Sequence, residues 1–274
     1  MISIRQLFLS LVATVIIGQT GCTTAPVTGR RQFNMFSTGE ELQMGLASFE
    51  QMKKEQKIST DPALNALVKK VGDKIAAAAG NDLPNAQWEF VVFDSPEANA
   101  FCLPGGKVGI YTGILPITKD EAGLATVMGH EVAHATARHG GERMTSSVAS
   151  SIAIGAGAAV VGAVTSDQSS QERQMWNGLY GMGAGAGAAV FYTLPHSRKQ
   201  ESEADRIGLT YMARAGYDPA AAVDFWQRFA DYNRERGGST PWFLRTHPVD
   251  ETRIKQIEGW IPEVRSEVQL GVGR

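Results

Sequence analysis

The chain has 274 residues, 43% hydrophobic and 8% aromatic, with 26 Lys and Arg against 28 Asp and Glu for a net charge of −2. That length supports one sizeable core or two small ones, and the near balance of charge gives no sign of the basic face a nucleic-acid binder needs. Two cysteines, Cys22 and Cys102, make no disulfide framework, and Cys102 is expected to pack as a small apolar residue.

The first predicted element is a targeting segment. Arg5 is followed by an apolar run over 7–17 and then by Gly21-Cys22. A glycine before a cysteine at the end of such a leader resembles the bacterial lipoprotein box, although Gln19 stands where leucine is usual. On that reading residues 1–21 are a signal peptide, Cys22 is the lipidated first residue and 22–36 form a lipidated tether. Thr23, rather than aspartate, after the cysteine directs such a protein to the outer membrane. An uncleaved anchor and a conventional leader cut nearby are the alternatives.

Ser37-Thr38-Gly39-Glu40-Glu41 carries overlapping capping boxes and opens a helix to about Lys57. Asp61-Pro62 caps a second helix ending near Gly80. Residues 88–93 alternate as a strand, and 99–102 and 107–111 read as strands joined at Pro104-Gly105-Gly106. Thr118-Lys119-Asp120-Glu121 supplies an N-cap and acidic first turn for a helix over 121–138, with Gly140-Gly141 at its C-cap. Residues 145–166 and 174–194 lack charge but consist largely of Gly, Ala and Ser. Region 145–195 therefore predicts a hairpin or flap beside the active site, with membrane-spanning helices as the alternative. Further helices are predicted around Gln200–Ile207, from Asp218-Pro219 to about Arg236, and from Asp250, with 263–274 as a tail. The fold class is α+β: mainly helical, with a small sheet beside the helix at 121–138.

That helix carries His130-Glu131-Val132-Ala133-His134. Two imidazoles four apart lie one above the other and can turn a ring nitrogen to one Zn²⁺, while Glu131 is placed to take a proton from the attacking water. A third ligand is needed, with a fourth position left open. In Gln200-Glu201-Ser202-Glu203-Ala204-Asp205-Arg206, Glu201 and Asp205 share a helical face and Glu203 points elsewhere. Glu201 is the expected ligand, and Asp205 the carboxylate that orients a histidine or aids proton transfer. The bland alternative is a solvated acidic face paired with Arg198, Lys199 and Arg206. His139 and His196 match no ligand spacing and read as structural or exposed, His196 being the one rival ligand.

The pattern His130-Glu131-x-x-His134 followed by Glu201-x-x-x-Asp205 looks like the gluzincin arrangement. With Asn99-Ala100-Phe101, Ser197-Arg198 and Thr246-His247-Pro248…Arg253, it resembles the HtpX and CAAX-prenyl-endoprotease family of zinc metallopeptidases, especially its soluble periplasmic (BepA- and LoiP-like) branch. The resemblance covers roughly residues 25–262 and implies a zincin-like metallopeptidase domain at 37–262. It also implies one Zn²⁺ per chain held by His130, His134 and Glu201, Glu131 as general base and Asp205 as auxiliary acid. The oxyanion needs a second electrophile, which His247 or Arg253 could supply. His247 could instead occupy the open position and hold the enzyme latent. Asn99 could hydrogen-bond an extended substrate added to the strand edge beside the active-site helix.

The expected function is a zinc endopeptidase of the bacterial cell envelope, lipid-anchored and periplasm-facing. Its expected partners are extended or misfolded polypeptides and the envelope assembly machinery, not nucleic acid. The alternatives are an integral membrane protease of the prenyl-endoprotease type and a latent zinc-bound chaperone or assembly factor.

Overall fold

The computed structural model describes residues 22–162, 196–235 and 241–271. The expected signal peptide at 1–21 and the 163–195 part of the expected flap lie outside the described residues.

Residues 22–36 are not a free tether. Strand β1 (Cys22–Thr24) pairs antiparallel with β2 (Arg31–Phe33), and Ala25, Gln32 and Asn34 are buried. The hairpin is fastened to the rest of the protein: Gln32 Nε2 donates to the Ala137 carbonyl at 2.7 Å, and Met35 N donates to Thr145 Oγ1 at 2.9 Å. Cys22 itself is exposed.

Helix α1 (Thr38–Glu55) starts in the Ser37/Glu40 capping box, and α2 (Pro62–Ala79) starts at Asp61 with proline in its first turn. A three-stranded sheet follows: β3 (Glu89–Phe93), β4 (Ala100–Leu103) and β5 (Lys107–Tyr111). Its order is β3-β5-β4, with β3 parallel and β4 antiparallel to β5, so β4 lies at an edge. Phe49, Phe93, Phe101 and Tyr111 form a small aromatic core between α1 and this sheet.

After a short α3 (Leu115–Thr118), α4 (Glu121–Thr136) carries the paired histidines. Its cap is Asp120, whose carboxylate accepts from Gly123 N, rather than Thr118. All residues from Gly123 to Thr136 are buried, the mark of a helix enclosed on every side. Helix α4 ends before the predicted Arg138, which takes a positive φ of 54°. The chain then enters α5 (His139–Gly162), so Gly140-Gly141 lie in the first turn of the next helix and not at a C-cap. Residues 145–162 of the expected flap are therefore helical, and no described helix is long and apolar enough to cross a membrane.

Helix α6 (Arg198–Arg214) opens in a Ser197/Gln200 capping box and packs directly on α4. At the crossing, Gly129 meets Gly208. A Cβ on Gly208 would sit 3.0 Å from both Gly129 C and His130 N, closer than a methyl group packs. Helix α7 (Ala221–Glu235), the short α8 (Trp242–Thr246) and α9 (Glu251–Gln269) complete the shell. Trp226, Phe229 and Phe243 stack where they meet α4, with Phe225 edge-on to Trp226. Helix α9 runs on through Pro262 to Gln269, so the expected tail from residue 263 begins as helix. The mainly helical α+β architecture expected from the sequence stands.

Candidate active site

The crossing of α4 and α6 sets the site. Four apart on α4, His130 and His134 bring their Nε2 atoms within 3.0 Å of each other. One turn into α6, Glu201 places Oε2 at 3.4 Å from His130 Nε2 and Oε1 at 3.3 Å from His134 Nε2. Just beyond α8, His247 brings Nδ1 to 3.2 Å from His130 Nε2 and 2.9 Å from Glu201 Oε1. All four are buried, and their ligand atoms lie within 4.8 Å of one another.

The proton inventory of this cluster is informative. Asp205 Oδ1 lies 2.9 Å from His130 Nδ1, which in the neutral ring places the proton on Nδ1 and turns a lone pair inward at Nε2. His134 Nδ1 faces His139 Nδ1 at 2.8 Å, and His139 Nε2 faces Glu203 Oε2 at 3.0 Å. An ionised carboxylate only accepts, so His139 carries its proton on Nε2 and accepts at Nδ1 from His134. His134 Nε2 is then also a bare lone pair. The Nε2 atoms of two imidazoles and a carboxylate thus converge in one buried space. That donor set calls for a cation, and imidazole with carboxylate suits a divalent transition metal.

The ionisation states agree. Burial would lower His130, but Glu201 and Asp205 outweigh it and lift the ring to about 9 in the metal-free protein, so a proton stands where the cation belongs. Burial, only partly offset by Glu201, holds His134 well below its ordinary range, and so neutral. Glu201 is held far below the usual carboxylate range: burial opposes this, but His247, Arg253 and His130 prevail.

Glu131 is buried, and its Oε1 lies 3.5 Å from His247 Nε2. Burial pushes its carboxyl up, only partly countered by His247 and His130, which moves it toward the range of a working general base. Glu131 and His134 line a cavity bordered by Asn99, Ala100 and Phe101 at the edge of β4, and by Arg143, His196 and Trp242. Asn99 is buried there, its Oδ1 accepting from Ala100 N at 2.9 Å. Cys102, half-buried in β4, also faces this cavity, and burial raises its thiol well above the ordinary range.

Two sequence expectations change. Arg253 does not face the cavity as an electrophile. It is buried behind the carboxylates, with Nε and Nη2 on Asp205 at 2.6 and 2.9 Å, Nη1 on Glu201 Oε2 at 2.7 Å, and the guanidinium 4.0 Å from the Trp226 ring centre. Asp205 is likewise turned away from the cavity, between His130 and Arg253, which is the place of the expected histidine-side carboxylate rather than of the auxiliary acid. The solvated-face alternative for Glu201 and Asp205 fails because both are buried. Arg206 pairs instead with Glu263 and Glu267 on α9.

The family model described as peptidase family M48 matches residues 62–261, a span holding every residue of this cluster. This chain belongs to peptidase family M48. Among M48 relatives, it is 36% identical over 243 residues to the mitochondrial metalloendopeptidase OMA1 of Schizosaccharomyces pombe, covering 88% of this chain and 66% of that protein. Against OMA1 of Saccharomyces cerevisiae it is 34% identical over 254 residues, 87% of this chain and 69% of the relative. Against the beta-barrel assembly-enhancing protease of Escherichia coli K12 it is 29% identical over 274 residues, 96% of this chain and 54% of the relative. The chain thus spans about two thirds of the yeast proteins and about half of the bacterial one. The metallopeptidase resemblance drawn from the motifs is borne out at the level of the M48 family.

Sequence reasoning left His139 and His196 as structural or exposed, with His196 as a rival ligand, turned Glu203 away and did not single out Arg143, yet all four belong to this M48 site. His139 is fully buried against His134, Glu203 holds His139, and Arg143 and His196 line the cavity with Arg143 Nη1 donating to His196 Nε2 at 2.9 Å. The α4–α5 break at Arg138 swings His139 back onto the site, and five-residue spacing on a continuous helix gives no hint of that.

Proposed function

We propose that this protein is a zinc endopeptidase of the bacterial cell envelope that cuts extended or misfolded polypeptides. In this reading Cys22 is lipidated, and the signal segment at 1–21 directs the chain to the periplasmic face of the outer membrane. The observation that carries the catalytic reading is the buried convergence of His130, His134 and Glu201 beside buried Glu131. Those three residues would hold one Zn²⁺, which supplies Lewis acidity to the scissile carbonyl and to the attacking water. Glu131 takes the water's proton and delivers it to the departing amine. Asp205 fixes His130 through Nδ1, and Arg253 holds both carboxylates. An extended peptide adds along the edge of β4, where Asn99 can bond its main chain.

The test is metal analysis paired with a chelator-sensitive casein assay. Glu131→Gln is expected to keep stoichiometric zinc and lose cleavage by at least about 10²-fold, the scale of general acid–base catalysis. Equal turnover by variant and parent refutes the assignment.

A second reading, latency, is favoured by one distance: His247 Nδ1 lies within 3.2 Å of His130 Nε2, inside the space a metal and its open position would use. His247 would then have to leave before a substrate carbonyl could enter. His247→Ala should raise basal casein cleavage several-fold if the residue is a latch. It should lower cleavage if the ring instead serves the oxyanion. The name of the Escherichia coli relative makes a role in envelope protein assembly a natural extension, with unfolded outer-membrane polypeptides as the substrate class.

A further inference from the structure

The two helix-borne histidines are supported in different ways. His130 has a carboxylate directly at Nδ1. His134 has another imidazole there, and the carboxylate comes one residue later: His134 Nδ1 to His139 Nδ1 at 2.8 Å, then His139 Nε2 to Glu203 Oε2 at 3.0 Å. Glu203 shares α6 with Glu201 but points away from the centre, and it ends on the N-terminal hairpin. Thr28 Oγ1 donates to its Oε1, and Arg30 Nε donates to its Oε2 at 2.5 Å. Arg30 is locked in turn by two bonds to Glu142, at 2.7 and 2.9 Å, and by Gln32 at 3.1 Å.

We propose that His139 and Glu203 are positioning residues for His134, and that Thr28 and Arg30 of the N-terminal hairpin complete the device by holding Glu203. A neutral imidazole has one proton to place, and the partner of one nitrogen decides which nitrogen holds it. If His139 did not accept at Nδ1, His134 could carry its proton on Nε2, and that nitrogen would be useless as a ligand. His139 accepts there because Glu203 keeps the His139 proton on Nε2. Glu203 in turn is aimed by the hydroxyl and the guanidinium that occupy both its oxygens. The hairpin at 22–33 is thereby part of the metal centre's support, although it lies about a hundred residues from the histidines in sequence.

The inference rests on the reading of His130, His134 and Glu201 as metal ligands, and the test separates the two. Zinc affinity of the full chain is measured by chelator competition, and the His134 tautomer by nitrogen chemical shifts of the ¹⁵N-histidine-labelled, metal-free protein. His139→Phe and Glu203→Gln are expected to weaken zinc about 10–100-fold, the usual cost of losing a partner behind a ligand. In His139→Phe the His134 proton should leave Nδ1. His139→Gln offers a carbonyl acceptor to His134 Nδ1 and should recover much of the affinity, a rescue that mere loss of packing would not produce. Should His139→Phe not accumulate, Arg30→Met on the hairpin carries the same measurements, with a several-fold loss expected. Parent-like affinity together with a His134 proton still on Nδ1 in these variants overturns the proposal. Parent-like zinc binding by Glu201→Ala overturns the underlying metal reading instead.

Discussion

Arg253→Met removes the one guanidinium that serves two buried carboxylates while keeping a chain long enough to cover Trp226. The parent residue is 7% exposed and forks onto Asp205, with a third nitrogen on Glu201 and a fourth contact from Nη1 to the Pro248 carbonyl at 2.8 Å. With the cation gone, the desolvation of Asp205 and Glu201 is uncompensated, and breaking a buried ion pair from one side costs about 3–5 kcal/mol. In a domain of this size that lowers Tm by roughly 6–20 °C. The sign with pH follows from linkage. Burial alone would raise Asp205, yet Arg253 and His130 hold it below its ordinary value, so its stabilising contribution is full above that range and lost as pH falls through it. The gap between parent and variant should therefore be widest near neutrality and narrow in acid. Arg253→Lys keeps the charge but not the fork, and should fall between the two at about 1.5–3 kcal/mol. The assay is urea unfolding of chelator-treated protein, followed by circular dichroism at neutral and acid pH. A loss below about 1 kcal/mol at neutral pH refutes the view that this cluster needs its cation.

Other outcomes are as definite. Glu203 is held at about 2 against an ordinary 4.5: burial opposes the shift, and His139, Thr28 and Arg30 outweigh it. Its contribution to stability is complete above its ordinary value and is lost as pH falls toward about 2, so Glu203→Gln should flatten the parent's acid unfolding curve across that window. An unchanged acid limb would show that the hairpin contacts contribute nothing. Gly208→Ala puts a methyl group 3.0 Å from the backbone of Gly129 and His130, and should cost about 1–3 kcal/mol in urea unfolding. Zinc affinity should fall with it, because the same displacement parts Glu201 from the histidines. A variant with parental stability and affinity would mean that the crossing tolerates more separation than its contacts imply.

The paired histidines, Glu131, Glu201 and Asp205 were legible because ligand chemistry writes itself as short spacings on single helices. The capping signals at Ser37, Asp61 and Asp250 were legible for the same local reason, and each caps a helix in the structure. What could not be read came from long-range geometry. Arg253 was legible as a motif residue, but only the packing of α9 on α6 shows that it sits behind the carboxylates rather than over the cavity. Gly140-Gly141 carried a helix-stop signal, whereas the chain reverses at Arg138, whose side chain donates to Glu41 and to the Phe36 carbonyl. Those contacts hold a left-handed residue in place and allow the glycines to start the next helix. Residues 22–36 looked like a tether because the segment is short and polar, and its partners Ala137, Thr145 and Glu203 lie more than a hundred positions away.

The contact of Gly129 with Gly208 has a mechanical consequence. Where two helices meet through side chains, rotamer changes can absorb a small shift; here main chain rests on main chain and no such slack exists. The span between the imidazoles and Glu201 is therefore as stiff as the helices themselves. Widening it would require one whole cylinder to lift off the other, stripping the core that both share. Any motion that widens the cavity must therefore come from its rim, while the crossing beneath it holds.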